Sequence, residues 1–327
     1  MRLALAADGG ASKTDLALVR EDGELLALVR GGGSSPHHVG LVPAFDLVGG
    51  LVEQALAEAG AAAPVDVARL FVAGVDLPVE VEQANAEAGR RGWAPDTVVD
   101  NDTFAVLRAG SERGWGIAVV CGTGINCVGV APDGRHARFP ALGWTTGDWG
   151  GGPDVGMAAV SAAARSEDGR GPLTTLERAV PAHFGLASAT ELAEAFHFGR
   201  LATGRVAELA PLVLAEAADD PVAASIRDRL AAEIVTLVRV ALQRLELAGE
   251  PVEVVFGGGL LQSGDPGLLR EVTAGVLEVA PLALIRDPAL PPVFGAALAA
   301  LDELGAPPDA SRRLREQAAP SPEVARG

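Results

Sequence analysis

The stretch LALAADGGASKTDLALVREDGELLALVR, residues 3–30, decides how the rest of the chain is read. Its apolar opening at 3–7 is a short buried strand by pattern, broken by the turn Asp8-Gly9-Gly10-Ala11-Ser12-Lys13-Thr14. A second strand is expected over 15–20 and a third over 25–30, joined by the tight pair Asp22-Gly23. The pattern restarts at GIAVVCGTGINCVGVAPDG, residues 116–134. A shift of 111 residues lays Asp22-Gly23 on Asp133-Gly134, Ser12 on Thr123 and Asp15 on Asn126. Two hairpins, each entered through a turn bearing glycine and a hydroxyl, imply two related half-molecules. A chance match between two short hairpins is the competing reading.

Working outward, a helix is expected over 43–59, ended by Gly60, then a strand over 69–75. A strand over 97–100 runs directly into Asn101-Asp102-Thr103, where a helix should start. Beyond Pro153 the chain turns helical, with pieces at 154–165, 174–183, 190–196, 206–217 and 221–247. A strand at 252–256 empties into Gly257-Gly258-Gly259, a helix follows from Pro266, and a strand at 282–285 precedes a helix at 292–304. From Gly305 the sequence is rich in Pro, Ala and Arg with little periodicity, and reads as a frayed tail.

The length of 327 residues suits about two domains. At 49% hydrophobic and 21% charged residues the composition is globular. Forty-three acids against 26 bases, a net charge of −17, argue against a polyanion-binding surface, so no nucleic-acid partner is expected, while one anion held locally by backbone amides stays open. No apolar run reaches the roughly 18 residues of a membrane helix, and Asp8 and Asp15 interrupt any leader-like segment. Two cysteines make no disulfide framework and fit a reducing, cytoplasmic setting. Lys13 is the sole lysine.

Four loops carry the chemistry. The turn from Asp8 to Thr14 exposes backbone N–H groups to which Ser12, Lys13 and Thr14 add donors, a composition suited to phosphate oxygens. It is no Walker loop, since the spacing fails and a strand follows; alone it reads equally as a glycine hairpin. Gly122-Thr123-Gly124 stands at the equivalent point of the second half. Gly257-Gly258-Gly259 permits close approach of a ligand to backbone, or simply a tight connection. Asp102, just past a strand end, could accept a hydroxyl proton with Asn101 orienting the substrate, or either residue could merely cap the following helix.

Together these residues resemble the sugar-kinase, actin and heat-shock ATPase superfamily, and within it the N-acetylglucosamine kinase and BadF/BadG-type ATPase family. The matching segments are DGGASKTDLALV, NDTFAVLRAG, GIAVVCGTGINCVG, GWTTGDWGGGPDVG and VVFGGGLLQS, in family order between residues 3 and 295. The resemblance implies an α/β, two-domain actin-like (ribonuclease H-like) fold with a ligand cleft between the domains. The first domain would comprise 1–107 with 291–318, the second 108–290, leaving a tail at 319–327. It implies ATP and Mg²⁺ as cofactors: Asp8 on the metal, Gly10, Ser12, Lys13 and Thr14 with Gly122, Thr123 and Gly124 at the phosphates, and Gly257, Gly258 and Gly259 against adenosine. Asp102 would be the general base, and Asn101 and Asp148 would hold sugar hydroxyls. The loop GGGSSPHHVG, residues 31–40, matches the family's sugar-side loop and places Ser34, Ser35 and His38 near the substrate. A homodimer is expected by resemblance alone.

Two departures bear on the sugar. Ser35 stands where the family usually has Asn, and Trp149 replaces the Glu of Gly-Asp-Glu-Gly, with Asp154 close behind. Loss of an amide partner and gain of a carboxylate lean the reading towards an ammonium sugar, glucosamine, with N-acetylglucosamine as the alternative. Asp154 as an ordinary helix-terminal acid is an equal reading. An activator ATPase holding an iron–sulfur cluster is the rival from another class, but Cys121 and Cys127 read as small apolar fillers. A sugar-sensing regulator is a second rival, and would lack need of Asp102. His37-His38 without a third ligand is weak evidence for zinc. Trp93, Trp115, Trp144 and His197 read as core or interface residues.

Overall fold

The computed structural model describes residues 1–288 and 290–318; the expected tail at 319–327 lies outside them. By contacts the chain divides into two compact units. One holds Met1–Ala118, Arg138–Pro140 and the stretch from Arg286; the other holds Val119–Ala137 and Ala141–Ile285. The first unit thus keeps the whole helix that begins at Asp102, where the sequence reading ended it at 107.

In the first unit strands β1 (Leu3–Gly9), β2 (Lys13–Arg20), β3 (Leu25–Gly32), β4 (Val67–Val72) and β5 (Asp96–Asp100) form one sheet, ordered β3-β2-β1-β4-β5. The hairpin strands pair antiparallel, and β1, β4 and β5 run parallel. Alternation in β1 decides which layer each face meets. Leu5 and Ala7, with Leu16 and Leu18, pack on Phe45, Val48 and Val52 of helix α2 (Leu41–Ala59), which follows the short α1 (Pro36–Val39), and on Ala84 and Ala88 of α3 (Pro78–Arg91). Ala4, Ala6 and Ala17 face the other way, towards α4 (Asp102–Gly110) and the helix Pro292–Glu303. Small residues on that face let the helices close in. A Cβ on Gly295 would stand 1.9 Å from the Ala105 carbonyl oxygen.

In the second unit β6 (Gly116–Cys121), β7 (Ile125–Val130), β8 (His136–Arg138), β9 (Glu253–Gly257) and β10 (Leu284–Arg286) are ordered β8-β7-β6-β9-β10. This is the order of the first sheet repeated, strand for strand. The 111-residue similarity therefore extends from two hairpins to two five-stranded sheets. Helices α5 (Gly151–Glu167), α6 (Leu176–His183), α7 (Ala189–His197), α8 (Ala210–Glu216), α9 (Pro221–Leu245) and α10 (Pro266–Val279) complete this unit. No helix among the described residues is long and apolar enough to cross a membrane.

Three expectations need correction. The strand expected at 69–75 ends at Val72, because Gly74 takes φ +81° and turns the chain out of the sheet. Helix α3 was not expected, since it buries only Ala84, Glu87 and Ala88 and shows almost no apolar stripe. Its start is fixed instead by Glu80, whose carboxylate accepts the Asp76 and Leu77 N–H groups at 3.0 and 2.8 Å. The residues after Gly305 are not frayed throughout: Pro308–Ala318 is a helix that buries Ala310 and Leu314. It lies so close to the β2–β3 turn that a Cβ on Gly23 would meet the Ala310 carbonyl at 2.0 Å.

Candidate functional site

Parallel strands in register end together, and their carboxyl ends are where α/β sheets carry ligands. Asp8 pairs with Phe71, and Phe71 with Asp100, so the ends of β1, β4 and β5 share one edge of the first unit. Asp8, Asp76, Asn101 and Asp102 all follow from that edge. Burial pushes the Asp102 carboxyl up to about 6, against the N–H groups of Thr103 and its own residue that hold it down. Asp8 is pushed up to about 7, first by burial, then by the charges of Asp102 and Asp15, with Lys13 opposing. Asp76 also rises to about 7, through burial and then the Asp102 charge. A carboxyl titrating near neutrality is suited to accept a proton at working pH.

Asn101 is buried and engaged with its own helix and with Asp76. Its Oδ1 accepts the Thr103 N–H at 3.0 Å and lies 2.5 Å from Thr103 Oγ1, capping α4, while its Nδ2 donates to Asp76 Oδ1 at 2.8 Å. The capping reading of Asn101 is what the structure contains. Asp102, the first residue of α4, is left half-buried at the strand edge.

The turn after β1 is stitched to the loop at 31–40. Ser34 N–H donates to the Gly10 carbonyl at 3.0 Å, and a Cβ on Gly33 would stand 1.9 Å from the Ala11 carbonyl oxygen. Thr14 and Ser34 are completely buried, with Thr14 Oγ1 2.8 Å from both Ser34 Oγ and the Gly32 carbonyl. Their hydroxyls hold the two loops together. Ser35, also buried, stands at the start of α1. Ser12 is exposed, and Gly10 N–H bonds the Lys13 carbonyl.

Lys13 lies half-exposed and pairs with the buried Asp15 at 2.9 Å. Asp15 is flanked in register by Asp8 on β1 and Arg30 on β3, and Arg30 bonds it bidentately at 2.5 and 3.0 Å. Burial pushes Asp15 up, but the Arg30 and Lys13 bonds outweigh it and hold the carboxyl below its ordinary value. Lys13, tied to Asp15, therefore stands beside Asp8.

In the second unit, Gly258 at φ +86° presses on the end of β6, where a Cβ would meet the Cys121 carbonyl oxygen at 2.4 Å. Gly122-Thr123-Gly124 and Gly257-Gly258-Gly259 are thereby brought together. The first turn of α5 joins them, since a Cβ on Gly151 would lie 2.7 Å from the Thr123 carbonyl. A helix N-terminus against a glycine turn is a good setting for phosphate oxygens. Asp148 and Asp154 precede and open α5. Asp154 accepts the Gly150 N–H at 2.9 Å, the role of a helix-terminal acid, and Asp148 lies 2.5 Å from Thr146 Oγ1. Trp149 lies under the Arg229 guanidinium, 3.9 Å from ring centroid to Cζ.

His38 is exposed, and it is His37 that is engaged, its Nε2 2.7 Å from Glu80 Oε1. Sequence reasoning missed Asp76, Glu80 and Arg30 as parts of this edge, and of the pair His37-His38 it chose His38 for the substrate side. The signal for Asp76 was present, an acid just past a buried strand, but the strand was carried on to Val75 and hid it. Cys121 and Cys127 are buried, with burial pushing the Cys121 thiol up to about 12 and Cys127 higher still. Such thiols are poorly disposed to hold a cluster, which needs accessible thiolates. Trp93 is buried against Phe45, whereas Trp144 is 87% exposed.

Within the first unit the donor set fits a metal-bound phosphate, with a carboxylate for a hard cation at Asp8 and an ammonium at Lys13; within the second, the two glycine turns lie together. This fold and this edge define an actin-like ATPase of the kind used by sugar kinases. The chain belongs to the BadF/BadG/BcrA/BcrD ATPase family, which it matches over residues 7–300. It is 27% identical over 265 residues to the N-acetylmuramic acid/N-acetylglucosamine kinase of Clostridium acetobutylicum, covering 80% of this chain and 87% of that protein. A crystal structure of a candidate N-acetylglucosamine kinase from Chromobacterium violaceum superposes with a TM-score of 0.71 at 26% identity, covering 91% of this chain and 98% of its own. The ROK hexokinase of Thermus thermophilus shares the fold, with a TM-score of 0.51 at 14% identity over 93% of this chain and 99% of its own.

Proposed function

We propose that the protein is an ATP-dependent sugar kinase of the N-acetylglucosamine kinase type, transferring the γ-phosphoryl group to a hexosamine hydroxyl, the 6-hydroxyl by resemblance. The observation that carries the reading is Asp102, held at the start of α4 with its carboxyl near 6, beside Asp8. Asp102 takes the proton of the attacking hydroxyl, whose oxygen bonds to the γ-phosphorus as the bond to the leaving ADP oxygen breaks. Mg²⁺ bound at Asp8 would neutralise phosphate charge. Lys13 binds phosphate oxygens, supported by Asp15. Backbone N–H groups of Ala11 and Ser12 in the first unit, and of Thr123 and Gly124 in the second, orient phosphate oxygens in the same way; those of Gly10, Gly122, Gly150 and Gly152 are bonded within the protein. Gly257-Gly258-Gly259 offers a side-chain-free surface for the adenosine, and Asp148 and Ser35 are the candidate sugar contacts.

N-acetylglucosamine is favoured over glucosamine. The lean towards an ammonium sugar rested partly on Asp154, whose carboxylate caps α5 through Gly150, and two of the proteins compared above are named for N-acetylglucosamine. ADP release with ATP and Mg²⁺ tests this against N-acetylglucosamine, N-acetylmuramic acid, glucosamine, glucose and no sugar. Turnover should be greatest with an N-acetylated sugar. Best turnover with glucosamine would keep the kinase and reverse the specificity, while hydrolysis indifferent to every sugar would refute the kinase.

A further inference from the structure

Between the sugar-side helix α1 and the start of α4 stands a connected set of polar groups that the mechanism above does not use. Asp76 lies at its centre and is 9% exposed. On one side its Oδ1 accepts from Asn101 Nδ2 at 2.8 Å, and Asn101 caps α4 immediately before Asp102. On the other its backbone N–H donates to Glu80 Oε2 at 3.0 Å, and Glu80 Oε1 meets His37 Nε2 of α1 at 2.7 Å. Ligand atoms of His37, Asp76 and Glu80 all lie within 4.8 Å of one another. The His37 ring is seated on Gly74, where a Cβ would come within 3.0 Å of its Cγ and 2.8 Å of Ser35 Oγ.

We propose that Asp76 is a positioning residue for phosphoryl transfer, fixing through Asn101 the helix start that presents Asp102 and coupling it through Glu80 and His37 to the sugar-side loop. The inference rests on Asp102 being the base. A neutral asparagine at 76 would offer Asn101 the same acceptor oxygen without the cost of confining one carboxylate near another. The contribution of Asp76 is therefore carried by its acceptor oxygen, which an asparagine reproduces and an alanine does not. The groups facing Asp76 are Asp102 on α4, Glu80 on α3, His37 on α1 and Arg138 at the end of β8. Asp102 in turn faces Asp8 on β1, beside Lys13.

The test compares Asp76→Asn, which removes the charge and keeps the acceptor, with Asp76→Ala, which removes both. In Asp76→Ala kcat should fall by about tenfold or more and KM for the sugar should rise, with KM for ATP within about twofold of wild type. Asp76→Asn should bring kcat back to within about twofold of wild type. An unchanged kcat in Asp76→Ala overturns the inference, as does a kcat in Asp76→Asn as low as that in Asp76→Ala. Asp102→Asn separates the two failures: substantial turnover there would refute the base itself, whereas an inactive Asp102→Asn beside an unchanged Asp76→Ala would refute the role of Asp76 alone. Should Asp76→Ala not fold, His37→Ala at the exposed end of the set decides: a raised KM for the sugar with KM for ATP unchanged supports the inference, and unchanged steady-state constants overturn it.

Discussion

Gly33→Ala puts the contact between the two loops of the first unit to a direct test. The added methyl would start 1.9 Å from the Ala11 carbonyl oxygen and 2.5 Å from its carbon, both backbone atoms with no rotamer to yield. Reaching ordinary contact near 3.4 Å means separating the 31–40 loop from the 10–14 turn by about 1.5 Å. That distance breaks the Ser34 N–H bond to Gly10 and the Thr14–Ser34 hydroxyl bond, now 3.0 and 2.8 Å. At about 0.5–1.5 kcal/mol net apiece, their loss costs about 1–3 kcal/mol. Displacement of about 1 Å at a reacting geometry costs on the order of 100-fold in rate. Urea unfolding and steady-state ADP release measure the two effects. Gly32→Ala is the control, since its Cβ would find only Leu47 Cδ1 at 3.5 Å. Stability and kcat/KM in Gly33→Ala matching those of Gly32→Ala would refute the claim that these loops are locked together.

Other outcomes follow from the same geometry. Lys13→Ala should raise KM for ATP several-fold while changing KM for the sugar little; the reverse pattern would remove Lys13 from the nucleotide. Leu314→Ala, at a fully buried position on the inner face of the Pro308–Ala318 helix, should cost about 2–5 kcal/mol, read as a lowered melting temperature of the unit it belongs to. Activity and stability should move in opposite directions as pH falls from 7.5 to 5. Asp8 and Asp76 near 7 and Asp102 near 6 sit above their ordinary 3.8, so in that window the folded chain holds protons that the unfolded chain has released. Their contribution to stability is therefore regained as pH falls through 7 and 6, while turnover is lost as Asp102 and Asp8 protonate. Asp22 and Asp220, held down to about 2, act only at lower pH. Melting temperature falling in parallel with kcat would contradict the raised carboxyls.

The first sheet was legible because Leu3–Arg30 alternates cleanly, with Leu5, Ala7, Leu16 and Leu18 on one face and Ala4, Ala6, Ala17 and Val19 on the other. Asp102 was legible for the same reason, as an acid at a recognisable strand end. What stayed hidden depends on contacts that no local pattern encodes. Helix α3 offers two buried alanines in place of a stripe, and its start is written in the bond of Glu80 to Leu77. The helix Pro308–Ala318 is rich in arginine and glutamate, and it buries just Ala310 and Leu314 in the core, with Ala318 partly buried against it. Thr14 and Ser34 carry hydroxyls fit for a phosphate or a sugar, and nothing in their spacing reveals that they face each other inside the protein.

The ion pair at Lys13 has a practical consequence for chemistry on this protein. A chain with a single lysine carries one side-chain amine, and that amine is half-exposed beside Asp8. Acylating reagents should therefore leave one side-chain adduct, at residue 13, apart from the amino terminus. The mass of that adduct is a direct footprint of whatever shields the turn.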